Sequence, residues 1–276
     1  MAVTLPMCSV DFMDATLSVE EQAVAERIQD LKVLLGDDLL ILGHHYQRDS
    51  IVMHADFLGD SFMLSQKAAE SDAKYIVFCG VHFMAESADI LTSDEQSVTL
   101  PNLRAGCSMA DMATLSEVEV AWEELLRESG LSDPIVRSNP DEPAGENEAY
   151  LVPVTYMNSS ADLKDFVGRH GGIVCTSSNA EGILTWAFER AGPGGAVLFF
   201  PDQHLGRNTG ISMGISPDRM PTWTPGIGAM GSLEHARIVL WHGFCSVHKR
   251  FTPQQIADFR VEHPDGLVVV HPECPI

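Results

Sequence analysis

The sequence predicts an α/β fold of repeated αβα units with parallel sheets, two of them complete and a third incomplete. Three observations predict it. Short apolar runs alternate with helical patterns, the signature of a parallel sheet. A hydroxyl residue followed three positions later by Glu or Gln opens a helix at three separate places. Each of these helices leads into an apolar run that ends in polar residues able to do chemistry, and the order recurs along the chain.

The elements follow in order. Ser18 with Glu21 opens a helix whose apolar residues Val24, Ile28, Leu31 and Leu35 fall at helical spacing, and Gly36 stops it. The strand Leu39 to Gly43 follows, ending in His44-His45-Tyr46-Gln47. A helix near Ser61 to Ser71 leads to a strand over Tyr75 to Phe78, then a further helix and a strand over Ser97 to Leu100. The second unit repeats this plan. Thr114 with Glu117 opens a helix with Val118, Ala121, Trp122, Leu125 and Leu126 on one face. Strands are expected over Tyr150 to Thr155, Gly172 to Cys175 and Ala196 to Phe200, with helices between them. In the third, Thr252 with Gln255 opens a helix with Pro253 at its first position and Ile256 and Phe259 inward. A strand over Leu267 to Val270 then ends in His271-Pro272-Glu273-Cys274. The resulting domains are 1–106, 107–244 and 245–276. Arg127 to Ala149 reads as an acidic surface loop, and Gly210 to Arg237, rich in Gly, Pro and Met, reads as a plain loop rather than a lid.

Parallel α/β sheets bind ligands at the C-terminal ends of their strands, where these His, Tyr, Asn, Ser and Glu residues fall. Taken singly, His44 could equally be a strand-end histidine bonded to backbone, and Asn158 and Ser177 could be helix caps. The charge narrows the partners. With 39 acidic and 17 basic residues the net charge is −22, a field that repels nucleic acid and anionic lipid. It reads as a solvated, repulsive surface or as adaptation to high salt. No apolar run is long enough to span a bilayer. Met1 to Met13 lacks the pattern of a secretory signal, so a cytoplasmic location is expected.

Six cysteines are spread widely with no CxxC pair, which argues against a zinc ribbon. Cys79 and Cys175 read as strand-end packing residues. Two others are in register: Cys107 precedes Thr114 by seven residues, Cys245 precedes Thr252 by seven, and a Ser follows each. Packed about a pseudo-threefold axis, such units would converge their thiols, and three thiolates suit a [4Fe–4S] cluster with one open iron. A relic of the repeat is the alternative. Cys8-Ser9, ten residues before the Ser18 cap, falls where a third cysteine would stand by circular order, with coincidence the plainer reading.

Gly43-His44-His45-Tyr46-Gln47, Ala55 to Ser61, Phe78 to Glu86 and Ala105 to Asp111 resemble quinolinate synthase in order and spacing. So do Tyr156 to Ser160, Thr176 to Ala180, Pro201 to Gly206, Cys245 to His248 and His271 to Cys274. The resemblance runs from about Ala23 to the last residue. It implies three α/β units about a pseudo-threefold axis and a [4Fe–4S] cluster held by one cysteine from each. The implied reaction is condensation of iminoaspartate with dihydroxyacetone phosphate to quinolinate, a precursor of NAD. The implied partner is the aspartate-oxidising enzyme that supplies iminoaspartate. By the same resemblance Cys107 and Cys245 ligate the cluster, while His44, Ser61, Tyr156, Asn158, Ser177, His271 and Glu273 bind substrate. Glu273, Tyr46 and His271 are expected to form the acid/base group. The family's third cysteine and a Gly-Ser-Thr segment with a binding Thr fall beyond residue 276. The alternatives are therefore a non-catalytic fragment, a site completed by a second chain, or a mononuclear metal enzyme using His44 and His271.

Overall fold

Parallel strands cannot be joined by tight turns, so each pair needs a crossover, and here helices supply most of them. The computed structural model describes residues 17–137, 139 and 142–275. Cys8 lies outside them. The chain divides into two compact units, Met1–Ala105 and Gly106–Ile276, and both have the expected α/β character.

The first unit runs α1 (Val19–Leu35), β1 (Leu39–His44), α2 (Asp49–Val52), β2 (Phe57–Gly59), α3 (Ser61–Ala69), β3 (Tyr75–Cys79), α4 (His82–Leu91) and β4 (Ser97–Thr99). The Ser18 side chain accepts from the Glu21 N–H, and the Glu21 carboxylate accepts the Ser18 N–H at 2.8 Å, closing the expected capping box. The sheet order is β2-β1-β3-β4, all parallel. Leu40, Ile41 and Leu42 of β1 are buried, as a central strand covered on both faces requires. β2 was not expected. It has only three residues and no apolar run, and it pairs with β1 from Leu42↔Phe57 to His44↔Gly59. The Asp56 carboxylate fixes its approach by accepting the Ile41 N–H at 2.8 Å while pairing with Lys32 at 2.6 Å.

The second unit holds α5 (Leu115–Ser129), β5 (Leu151–Tyr156), α6 (Ala161–Arg169), β6 (Ile173–Cys175), α7 (Ala180–Ala191), β7 (Ala196–Phe200), α8 (Gln203–Ser212), β8 (Thr222–Thr224), β9 (Gly228–Met230), β10 (Ile238–Trp241) and α9 (Pro253–Glu262). Its sheet order is β6-β5-β7-β10-β8-β9, parallel except for β9 against β8. Both expected capping boxes are present, Thr114 with Glu117 and Thr252 with Gln255. The expected face of α5 is buried through Val118, Ala121, Trp122 and Leu125, packed with Leu163, Phe166, Leu198 and Trp241 in one core.

Three expectations are corrected here. The plain loop over Gly210 to Arg237 instead contains the end of α8 with β8 and β9, and β10 follows it. The reason is Trp223, which is buried, lies 4.8 Å from the Trp241 ring and donates its indole N–H to Glu124 at 3.2 Å. The strand over Leu267 to Val270 does not form. Apolarity alone does not make a strand; a ladder partner does, and none pairs with this stretch among the described residues, leaving Leu267 90% exposed. Ile256 and Phe259 do not point into a core. α9 buries no residue, and its apolar face lines an open groove of about 380 Å³ with Leu267 to Val270.

Candidate active site and metal centre

In the second unit the C-terminal ends of β5, β6 and β10 carry the chemistry. Tyr156 is the last residue of β5, and Ser177 lies two residues past the end of β6. Tyr156 is buried, and its hydroxyl donates to the Glu273 carboxylate while Ser177 donates to the Tyr156 oxygen. Burial, with Glu273 adding to it, raises the phenol well above its ordinary range, so it stays protonated as a donor. Glu273 is only 3% exposed. His248 Nδ1 lies 2.8 Å from Glu273 Oε2, and His271 Nδ1 lies 4.0 Å from Oε1. The two imidazoles stack at 4.7 Å between centroids. The His271 Nδ1 accepts the Glu273 N–H at 3.3 Å, which assigns the proton of the neutral ring to Nε2. Burial lowers the His271 pKa, favouring that neutral form.

Glu273 sits in no helix or strand, so something else must hold it. The Asn208 side-chain amide on α8 donates to the carbonyls of Pro272 at 2.7 Å and Cys274 at 2.8 Å. One side chain thereby brackets the carboxylate. Asp202, the N-cap of α8, accepts the Leu205 N–H at 2.6 Å and is fully buried. Burial, with a contribution from Glu273, pushes its pKa up to about 7. Gly243 lets the chain leaving β10 pass close to β7: a Cβ there would stand 2.0 Å from the Pro201 carbonyl oxygen. The chain then reaches Cys245.

The two registered cysteines meet. Ser108 Oγ and Ser246 Oγ, each following one of them, lie 3.5 Å apart. Cys107 and Cys245 sense each other electrostatically, and the N–H groups of Ala110 and Met109 donate to the Cys107 sulfur. Burial is the main cause raising that thiol. The Cys245 sulfur, a His248 ring nitrogen and a Glu273 oxygen also lie within 4.8 Å of one another. Cys175 is fully buried and its thiol is pushed far up, which suits the expected packing role; Cys79 ends β3, partly covered. Asn158 and Ser177 are not helix caps, since α6 and α7 are capped at Ser160 and Asn179.

The first unit holds His44, Tyr46 and Ser61. His44 ends β1, buried, and burial with His45 beside it pushes its pKa down to about 4. The Tyr46 ring lies 3.9 Å from the His44 ring, and the Tyr46 hydroxyl lies 3.9 Å from the Met84 sulfur. Ser61 is the first residue of α3, buried next to the Asp60 cap.

The model of the quinolinate synthetase A protein (NadA) family matches residues 26–276. The chain belongs to the quinolinate synthetase A family. The curated quinolinate synthase of Corynebacterium glutamicum is 58% identical over 255 residues, which cover 91% of this chain and 60% of that protein. Those of Rhodopirellula baltica and Acidobacterium capsulatum are 48% and 49% identical, covering 94% and 97% of this chain and 65% and 67% of theirs. The chain thus spans about two thirds or less of the length of these family members. Within the family frame, Asn208, Asp202 and His248 are the site-building residues that sequence reasoning missed. His248 was in plain view in the Cys245 to His248 stretch; Asn208 and Asp202 act only once α8 is folded. Among the described residues no helix is long and apolar enough to cross a membrane.

Proposed function

We propose that the chain carries out the quinolinate synthase reaction, condensing iminoaspartate with dihydroxyacetone phosphate with the help of a [4Fe–4S] cluster. The observation that carries this reading is the meeting of Cys107 and Cys245 beside the Tyr156–Glu273–His248–His271 group within one unit. The donor set fits a cluster: two partly covered thiols, one of them receiving backbone N–H groups of the kind that tune cluster sulfurs. Cys107 and Cys245 would hold it, and when bound it supplies a Lewis acid for a substrate oxygen.

The remaining chemistry belongs to side chains. Tyr156 stays protonated and donates at its hydroxyl. Neutral His271 carries its proton at Nε2 and can give it there. Glu273, held between His248 and Tyr156, accepts protons at its carboxylate. Tyr46 in the first unit is the further acid/base group, and His44, Ser61, Asn158 and Ser177 offer neutral donors to carboxylate and phosphate oxygens. In a chain of net charge −22, Arg207 and Lys249, whose charges both act on His204, add a local cationic setting for anionic substrates. The proposed location is cytoplasmic and the proposed partner is the enzyme that makes iminoaspartate.

The test is turnover of the anaerobically reconstituted chain. Quinolinate should form, and Glu273→Gln should abolish it while sparing the visible absorbance of the cluster. Normal turnover in that variant refutes the assignment. Absence of turnover in the reconstituted chain favours the non-catalytic reading.

A further inference from the structure

We infer that Cys245, His248 and Glu273 form a site for a single soft divalent cation, zinc being the best match, which takes one of the two cysteines proposed for the cluster. The inference stands on the triad's own geometry and not on the cluster reading. One thiol sulfur, one imidazole nitrogen and one carboxylate oxygen lie within 4.8 Å of one another. Mixed S, N and O donors around one point are the ligand types that zinc takes, and three protein ligands leave a fourth position for water.

The local structure explains the convergence. Cys245 and His248 are three residues apart in a turn that leads into the short 3-10 helix His248–Arg250, with the Lys249 N–H donating to the Cys245 carbonyl at 3.2 Å. That spacing puts both side chains on one side of the turn, as in short zinc-binding half-sites. Glu273 comes from a distant part of the chain, but it is buried and bracketed by the two hydrogen bonds from Asn208. Outer groups that fix a ligand in this way are typical of metal sites.

His248 Nδ1 and Glu273 Oε2 stand 2.8 Å apart, yet the buried Nδ1 has no hydrogen-bond partner among the described residues, so its lone pair is available to a cation. A zinc ion fits between them once the two atoms open to roughly 3.3 Å, the edge expected of a tetrahedron with its usual bond lengths. Binding releases the Cys245 thiol proton to solvent, while the neutral imidazole of His248 keeps its N–H at Nε2, with no redox change. Cys107 is outside this set. Zinc occupancy and cluster assembly therefore compete for Cys245.

The probes are Co²⁺ and Zn²⁺ alone, added to the full 276-residue chain after iron and sulfide are stripped. One Co²⁺ per chain should bind with an intense thiolate-to-metal band. Cys245→Ala should abolish the band, His248→Gln and Glu273→Gln should weaken binding at least about tenfold, and Cys107→Ala should leave it intact. A measurement without variants gives the same decision: Zn²⁺ should shield Cys245 but not Cys107 from alkylation, read by mass spectrometry of the peptides. A band that survives Cys245→Ala, a band lost in Cys107→Ala, or equal shielding of both cysteines overturns the inference.

Discussion

Ser108 Oγ and Ser246 Oγ lie 3.5 Å apart although 138 residues separate them in sequence. The pair shows that two helix-entry loops, each preceded by a cysteine and followed by a capping box, fold onto the same point. If these loops hold a cluster, then Cys107→Ser and Cys245→Ser should each sharply lower the iron and sulfide retained after anaerobic reconstitution. Cys274→Ser should leave them unchanged. Elemental analysis checks this.

Asn208→Ala should destabilise the chain by about 2 kcal/mol, the sum of two ordinary net hydrogen bonds. The larger effect should be local: once Pro272 and Cys274 are released, Glu273 is no longer held, and turnover should fall more than stability does. Urea midpoints and kcat, measured side by side, separate the two effects.

Asp202 gives a pH dependence of definite sign. Its folded pKa of about 7 is above the ordinary 3.8, so the folded state binds the proton more tightly. The stability tied to it is full below about pH 4 and is lost as pH rises through 7. Asp202→Asn keeps an oxygen to accept the Leu205 N–H and removes this loss. The variant should gain on the native chain between pH 4 and pH 8 in urea denaturation.

His44 works in the opposite direction. Its folded pKa of about 4 lies below the ordinary 6.5, so its contribution is present above pH 6.5 and is lost as pH falls to 4. His44→Gln should flatten the acid side of the first unit's stability profile. Intrinsic tyrosine fluorescence of Tyr46, whose ring lies 3.9 Å from His44, reports the change.

Much of the architecture was legible because helix starts are written locally. The Ser18, Thr114 and Thr252 capping boxes need only residues three apart, and all three form. Sheet membership is less local. β10 and β8 are strands because Trp223 and Trp241 pack together in the core, whereas the more apolar Leu267 to Val270 is none because nothing among the described residues pairs with it. The site divides the same way. Its donors stand at strand ends and beside capping boxes, where the sequence shows them. The residues that position those donors do not: Asn208 acts by donating to main-chain carbonyls, and Asp202 owes its shifted pKa to burial.

The helix α9 has a complete capping box yet buries no residue, while the stretch beyond it is tied down through Asn208. In native-state hydrogen exchange this gives the stretch after Thr252 two levels of protection. The amides of α9 open by local helix–coil fluctuation and exchange early. The Cys274 amide, bonded to the His271 carbonyl at 2.9 Å, opens only when the tether to α8 lets go. Protection therefore rises again after falling, and residues 253–270 behave as a loosely held loop closed at both ends by well-ordered chemistry.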